Sequence, residues 1–289
     1  MRSLLFVPAD SKRKLQKALT SDADVLIIDL EDSVGAENKE SARALASSFI
    51  PHAKERATIY VRVNDLSTGL IDDDLRSIME AAPDGIMLPK SNHIDDVCRL
   101  SAKLRVHEAE NGMPDSSTQI IPIITETPLG VLNAATYGRG ESRLAGLTWG
   151  AEDLSAEIGA SSTRLEDGSY TEVFRLARVN TILAASAAAL PAIDTVYPDF
   201  RDEAGFLKDC VSSARDGFTA RMAIHPAQVP IINEVFTPSP DQVSEARRVV
   251  GAFENEGNPG VIAIDGRMYD LPHFKRAQRV LARTALIER

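Results

Sequence analysis

Short runs of valine, isoleucine and leucine alternate with longer amphipathic stretches almost from end to end of this 289-residue chain. Runs that are apolar at successive positions suit strands buried on both faces of a parallel sheet. Apolar positions three and four residues apart suit helices that cover such a sheet. The pattern predicts strands at Ser3–Val7, Val25–Asp29, Thr58–Val63, Gly85–Leu88, Gln119–Ile124, Leu144–Thr148, Ala192–Val196 and Arg221–Ile224. Between them it predicts helices near Ser11–Thr20, Lys39–Ser48, Ile71–Ala81, Ile94–Glu108, Pro128–Tyr137, Thr171–Ala189 and Ala204–Ala214, with an eighth through Ala227–Phe236. Eight strand–helix units over residues 1–236 are what an α/β (β/α)8 TIM barrel requires, a fold of typically ~250 residues. The competing arrangement, a doubly wound open sheet, calls for a glycine-rich first turn after a strand. Gly138-Arg139-Gly140 follows a helix instead and reads as a C-terminal helix cap.

After Phe236 the pattern changes. Thr237-Pro238-Ser239-Pro240 is a stop, Ser239 and Asp241 are placed to cap a helix over Asp241–Glu256, and Glu254 to Gly260 forms a turn. One short strand at Val261–Ile264 and a basic helix from Pro272 to Arg289 complete the chain. This mostly helical extension, 237–289, is too short to carry an independent core. It is expected to pack on its own barrel or on a neighbouring subunit.

Composition adds exclusions more than assignments. A net charge of −10 and a pI near 5.1 argue against nucleic acid as partner, because phosphate backbones call for a basic face. Cys98 and Cys210 lie far apart without metal-ligand spacing and read as free thiols in a reducing compartment. Leu4 to Val7 is too short for a signal peptide and reads as the first strand. The alanine-rich Leu183–Leu190 falls well short of the ~20 apolar residues of a membrane span, so a soluble, cytoplasmic protein is expected.

The chemistry concentrates at strand ends. In a parallel α/β sheet the C-terminal ends of the strands and the loops after them gather on one face, where ligands bind. Ile120 to Ile124 stops at Thr125-Glu126-Thr127-Pro128, with Pro128 suited to a first helical turn, and Leu144 to Thr148 leads into Trp149-Gly150-Ala151-Glu152-Asp153. Glu126 and Asp153 are thereby expected at neighbouring strand ends. Two carboxylates held together repel unless one is protonated or a cation lies between them, and Mg²⁺, with water and substrate oxygens as its other ligands, is the economical solution.

Other strand ends supply the surroundings. Asp29, Glu31 and Asp32 crowd the end of the second strand, and basic groups are expected beside them. On the third strand Tyr60, Arg62 and Asn64 share a face, so Arg62 reads as a structural partner of Asp29 or Glu31 and, compatibly, as a fork for a substrate carbonyl or carboxylate, since such an arginine needs orienting. Lys90 stands at the next strand end with a smaller expected part. The cluster Lys12-Arg13-Lys14, after the first strand, suits the phosphates of a bulky cofactor tail. His225 reads as a turn-stabilising residue, and the triplet Asp72-Asp73-Asp74 as a solvated helix start.

Taken in order, Leu4-Leu5-Phe6-Val7-Pro8, Asp29-Leu30-Glu31-Asp32-Ser33-Val34, Val61-Arg62-Val63-Asn64, Thr125-Glu126-Thr127, Gly150-Ala151-Glu152-Asp153-Leu154, Ile224-His225-Pro226-Ala227-Gln228-Val229 and Asp265-Gly266-Arg267-Met268-Tyr269-Asp270-Leu271-Pro272 resemble the citrate lyase β-subunit (CitE-like) branch of the HpcH/HpaI aldolase superfamily. The resemblance implies a TIM barrel, usually a homotrimer. It implies a carbon–carbon lyase that cleaves or forms a 3-hydroxyacyl thioester such as malyl-CoA, citramalyl-CoA or a citryl thioester, with an acetyl-type thioester and an oxo-acid as the other partners. Carried over to this chain, Glu126 and Asp153 ligate Mg²⁺, and Arg62 holds the oxo-acid carbonyl and the developing enolate. Asp270 is the acid/base, reaching in from a neighbouring subunit. Asp29, Glu31, Asp32 and Arg13 complete the expected substrate site, with CoA entering as part of the substrate. One departure stands out: relatives often read Gly-Lys before the Ile-His-Pro step, where this chain has Thr219-Ala220-Arg221-Met222-Ala223. Arg221 is expected to keep the charge while the loop closes differently.

Overall fold

The computed structural model describes residues 1–257 and 259–287. Asn258 of the expected turn, and Glu288 and Arg289 at the end of the expected terminal helix, lie outside the described residues. The chain divides into two compact units, Arg2–Asn233, and Glu234–Arg289 together with Met1.

The larger unit is an eight-stranded parallel sheet in the order β5-β4-β3-β2-β1-β8-β7-β6. Its strands are β1 Ser3–Pro8, β2 Val25–Asp29, β3 Thr58–Arg62, β4 Gly85–Leu88, β5 Gln119–Pro122, β6 Leu147–Thr148, β7 Ala192–Asp194 and β8 Ala220–Ala223. Helices α1 Lys12–Ala18, α2 Lys39–Ala53, α3 Ile71–Ile78, α4 Ile94–Glu110, α5 Pro128–Asn133, α6 Ala151–Ile158, α7 Glu172–Ala187, α8 Glu203–Asp216 and α9 Val229–Val235 follow in turn. The expected TIM barrel is therefore the observed one, and its interior is a packed core. Leu4, Val25, Ile27, Tyr60, Met87, Ile121, Ile193, Ala220 and Met222 point inward and touch one another. Tyr60 fills the space beside Gly85, its neighbour across the β3–β4 register, where an added Cβ would lie 2.1 Å from the Tyr60 ring.

Closure falls on the β5–β6 seam, which is the irregular one. Ile120 N–H donates to Arg143 C=O at 2.7 Å and Ile124 N–H to Thr148 C=O at 2.9 Å. One residue more lies on β6 between those bonds than on β5, a bulge opposite Pro122, which has no N–H to donate. The register is thus reset immediately before the two loops that carry Glu126 and Asp153. It also explains why only Leu147–Thr148 of the expected Leu144–Thr148 is regular strand.

Helix ends mostly match expectation. Thr127 caps α5 through Gly130 N–H with Pro128 in the first turn, and Gly140 closes the following 3-10 turn, Ala134–Arg139, at φ 72°. That turn replaces the second half of the helix expected to reach Tyr137. The helix α6 is an addition that the apolar pattern did not predict. In the acidic triplet, Asp72 and Asp73 are exposed, but Asp74 is fully buried and pairs with Arg43 at 2.7 Å. The expected solvated helix start is corrected there, because Asp74 also accepts from the Asn64 backbone and side-chain N–H groups.

The smaller unit contains α10 Pro240–Asn255, an antiparallel pair β9 Val261–Ile264 and β10 Arg267–Asp270, and α11 Leu271–Ile287. Ser239 caps α10 in a reciprocal box with Gln242. Its core is a small cluster around Val249, Phe253, Ile262 and Ala277, while Met268 and Leu286 stay exposed. Cys98 and Cys210 are both free thiols.

Candidate active site

The inward face of the barrel turns from apolar to charged at its C-terminal end. Two residues beyond Ile27 comes Asp29, and two beyond Tyr60 comes Arg62, register partners across β2 and β3. Strand alternation points both side chains inward, above the apolar layers. Arg62 Nε and Nη2 donate to the two Asp29 oxygens, each at 2.7 Å, and Nη1 lies 3.0 Å from Glu31 Oε2. The Phe6 ring lies below the guanidinium, 4.7 Å from its centroid. Although burial opposes it, the guanidinium holds the Asp29 carboxyl below its ordinary range. Arg62 is in turn raised against its own burial by Asp29. This arginine is charged and rigidly aimed at every accessible pH.

The loop carrying these acids is built on its own backbone. Glu31 N–H and Ser33 N–H both donate to Asp29, and the Lys39 ammonium donates to the carbonyls of Leu30 and Glu31 and to Asn64 Oδ1. Asp32 is more than half exposed, with Lys90 Nζ 3.6 Å away.

Lys90 occupies a more central place than its sequence position suggested. It sits after β4 in the left-handed region at φ 50°, strain that clusters at functional sites. Its ammonium donates to Glu31 and lies 3.3 Å from Asp153, and its backbone N–H donates to Glu126 Oε2 at 2.5 Å. One residue thus touches both carboxylates singled out in the sequence.

Glu126 is nearly inaccessible, and among the described residues no cationic side chain bonds to it directly. Burial first, and then the negative charge of Asp153, push its carboxyl well above the ordinary range. Glu31 is also raised, by burial, with Arg62 and Lys90 opposing the shift. Gly150 packs against Glu126, and a Cβ at Gly150 would fall 2.6 Å from Glu126 Cγ. Asp153 follows in the first turn of α6, where the helix N-terminus favours a carboxylate. No group of three or more His, Cys, Asp or Glu side chains placed to hold a metal occurs among the described residues. Two mutually repelling carboxylates without His or thiolate neighbours suit a hard divalent cation that keeps water among its ligands.

The remaining expected residues lie elsewhere. Arg13 is exposed on α1. His225 accepts from Ala227 N–H and stacks on Phe200, the turn-stabilising part expected of it. Arg221 corrects the sequence reading: alternation with the inward Ala220 and Met222 turns it outward, fully buried, onto Asp209 at 2.6 Å. Its charge is consumed in the fold. Asp270 belongs to the smaller unit, exposed and bonded to His273 Nδ1 at 2.5 Å, which keeps its carboxyl below the ordinary range.

Residues 2–226 match the family model described as HpcH/HpaI aldolase/citrate lyase. The chain belongs to that family. It is 33% identical over 288 residues to the citrate lyase subunit beta of Escherichia coli K12, covering 99% of this chain and 93% of the relative. It is 30% identical over 293 residues to the mitochondrial citramalyl-CoA lyase of Rattus norvegicus, covering 97% and 85%. Among solved structures, CitE of Mycobacterium tuberculosis in complex with magnesium, acetoacetate and coenzyme A superposes with a TM-score of 0.78 at 33% identity, covering 98% of each chain. Membership brings the enzyme class with it, since these relatives are lyases. No helix among the described residues is long and apolar enough to cross a membrane.

Proposed function

We propose that this protein is a Mg²⁺-dependent carbon–carbon lyase that cleaves, or forms, a 3-hydroxyacyl-CoA thioester such as malyl-CoA or citramalyl-CoA. The observation that carries the reading is a buried acid, Glu126, held above its ordinary range beside Asp153 and within reach of an arginine fixed by Asp29. Such a carboxylate is stabilised by a cation, and Glu126 and Asp153 are the residues that would hold Mg²⁺. When bound, the ion supplies Lewis-acid polarisation to the oxygens of the oxo-acid half.

The protein's own residues account for the rest. Breaking the carbon–carbon bond of a 3-hydroxyacyl thioester passes the hydroxyl proton to water, turns the C–O bond into the new carbonyl and leaves the broken bond's electron pair on the acetyl-type half as an enolate. Arg62, already charged and oriented, stabilises that developing negative charge without reorganising. The enolate carbon then takes a proton, a step assigned to Asp270 of a neighbouring subunit in a homo-oligomer, with trimer the expected form. Glu31 and Asp32 hold Lys90 and the free edge of Arg62 in place, and Arg13 with its basic neighbours meets the phosphates of CoA. The neighbouring structure with magnesium, acetoacetate and coenzyme A supports this ligand set.

Similarity to citrate lyase subunit beta favours a second reading, a β subunit acting on a citryl thioester borne by an acyl carrier protein. Assaying the isolated protein with malyl-CoA, citramalyl-CoA and citryl-CoA in Mg²⁺ buffer decides between them. Turnover of a CoA thioester supports the first reading. Activity that appears only with a carrier subunit supports the second.

A further inference from the structure

Asp153 sits in a helix whose start is poorly fixed by local means. The N-cap of α6 is Gly150, which makes no side-chain capping bond, and any larger residue there would collide with Glu126. The strand before it, β6, is two residues long and follows the bulged seam. Something outside the loop must hold it.

Trp149 is that attachment. It is fully buried immediately before Gly150, with its ring edge-on to Tyr170 at 5.1 Å between centroids. Its one donor, the indole N–H, meets Asp194 Oδ1 at 2.6 Å. Asp194 ends β7 and is fixed from its other side: Oδ1 also accepts from Thr195 N–H, and Oδ2 accepts from the Ser213 hydroxyl and lies 3.5 Å from Arg221. Arg221 is held by Asp209, which binds Arg164, whose guanidinium lies over the Tyr170 ring at 3.8 Å. The partners close a ring that leads back to Trp149.

We infer that Asp194 is a positioning residue for the two carboxylates of the site, acting through the Trp149 indole. The inference rests on the reading of Glu126 and Asp153 as cation ligands. With the indole N–H bonded to Asp194, Gly150 stays pressed on Glu126 and the first turn of α6 presents Asp153 beside it. Without that bond the Trp149 side chain is held by ring packing alone, and the spacing of the two carboxylates that follow from it loosens.

Mn²⁺, which takes the same oxygen ligands, serves as the probe, titrated calorimetrically into the full-length protein. Trp149→Phe keeps an aromatic ring but removes the donor together with part of the buried ring volume, so its melting temperature is read beside its Mn²⁺ affinity; Asp194 keeps its Ser213, Thr195 and Arg221 partners. Its Mn²⁺ dissociation constant should rise at least about tenfold, the usual effect of removing a group that orients a ligand. Asp194→Asn keeps an oxygen for the indole but weakens the neutralisation of Arg221. It should melt lower yet bind Mn²⁺ within about twofold of wild type, the opposite pattern. Glu126→Gln supplies the reference and should bind Mn²⁺ at least about a hundredfold more weakly. If Trp149→Phe binds as wild type does while Glu126→Gln does not, the brace is refuted and the cation site stands. If Glu126→Gln also binds as wild type does, both fall.

Discussion

At the strand-start end of the barrel, Arg143 and Glu108 meet in a bidentate pair at 2.6 and 2.7 Å, both fully buried. Backbone N–H groups of Ser116 and Thr118 fill the remaining acceptor positions of Glu108. At the opposite end Glu126 is equally buried, but among the described residues it accepts one backbone N–H, while Asp153 repels it and Arg62 attracts it without bonding to it. Against the opposing effect of burial, Arg143 draws the Glu108 carboxyl down to about 2. Burial without a matching cation drives the Glu126 carboxyl the other way. Both acids expose almost no surface, but among the described residues only Glu108 bonds directly to a guanidinium. The matched one belongs to a fold-stabilising pair, and the unmatched one is the proposed cation ligand.

Substitutions at the two ends should separate activity from stability. The largest effect is expected from Glu126→Ala, which should lower turnover roughly a thousandfold or more while circular dichroism shows the barrel intact. Arg62→Lys keeps the charge but loses the bidentate grip on Asp29, and kcat should fall about a hundredfold with the pH profile retained. Arg143→Met leaves Glu108 buried without its partner and should cost about 3–5 kcal/mol in urea unfolding, while kcat of the folded protein is unchanged. Glu126→Gln, by contrast, should melt higher than wild type in chelator above the ordinary carboxylate range, because the amide can be buried beside Asp153 without taking up a proton or a cation.

The pH dependence carries the same contrast. For Glu108, whose carboxyl is lowered on folding, the stabilisation is complete above the ordinary carboxylate range near 4.5 and is lost as pH falls toward about 2. For Glu126, whose carboxyl is raised, the folded protein in chelator loses stability as pH climbs from the ordinary range through the raised value. Melting curves of wild type, Glu126→Gln and Arg143→Met between pH 3 and 8, a range of roughly five units around these transitions, should show the upper slope vanish in the first variant and the lower slope in the second. The smallest effect belongs to Arg13→Ala, a few-fold rise in KM for a CoA thioester that fades at high salt, with kcat unchanged.

Much of this was legible in the chain itself. Buried strands announce themselves as β-branched runs, so β2 and β4 fall where expected. Alternation also placed Arg62 on the face of Tyr60, and Asp29 was among its expected partners, which the register of β2 and β3 bears out. What escaped notice depends on distant partners. Asp74 looks like its exposed neighbours until Arg43 and Asn64, from other elements, come to meet it. Lys90 shows its role only through a left-handed backbone and contacts to three loops. Arg221 looked like a charge retained beside the closing loop, and its alternation with Ala220 and Met222, visible in the sequence, could have turned it outward. The helix α6 begins at an uncapped glycine and lacks the usual start signal.

The central claim is that the unmatched acid at the barrel mouth is matched by a divalent cation. Its most direct test is the melting temperature of wild type and Glu126→Gln with and without saturating Mg²⁺. Wild type should rise by several degrees on adding Mg²⁺, while Glu126→Gln, higher at the outset, should not respond. An equal rise in both proteins would contradict the account.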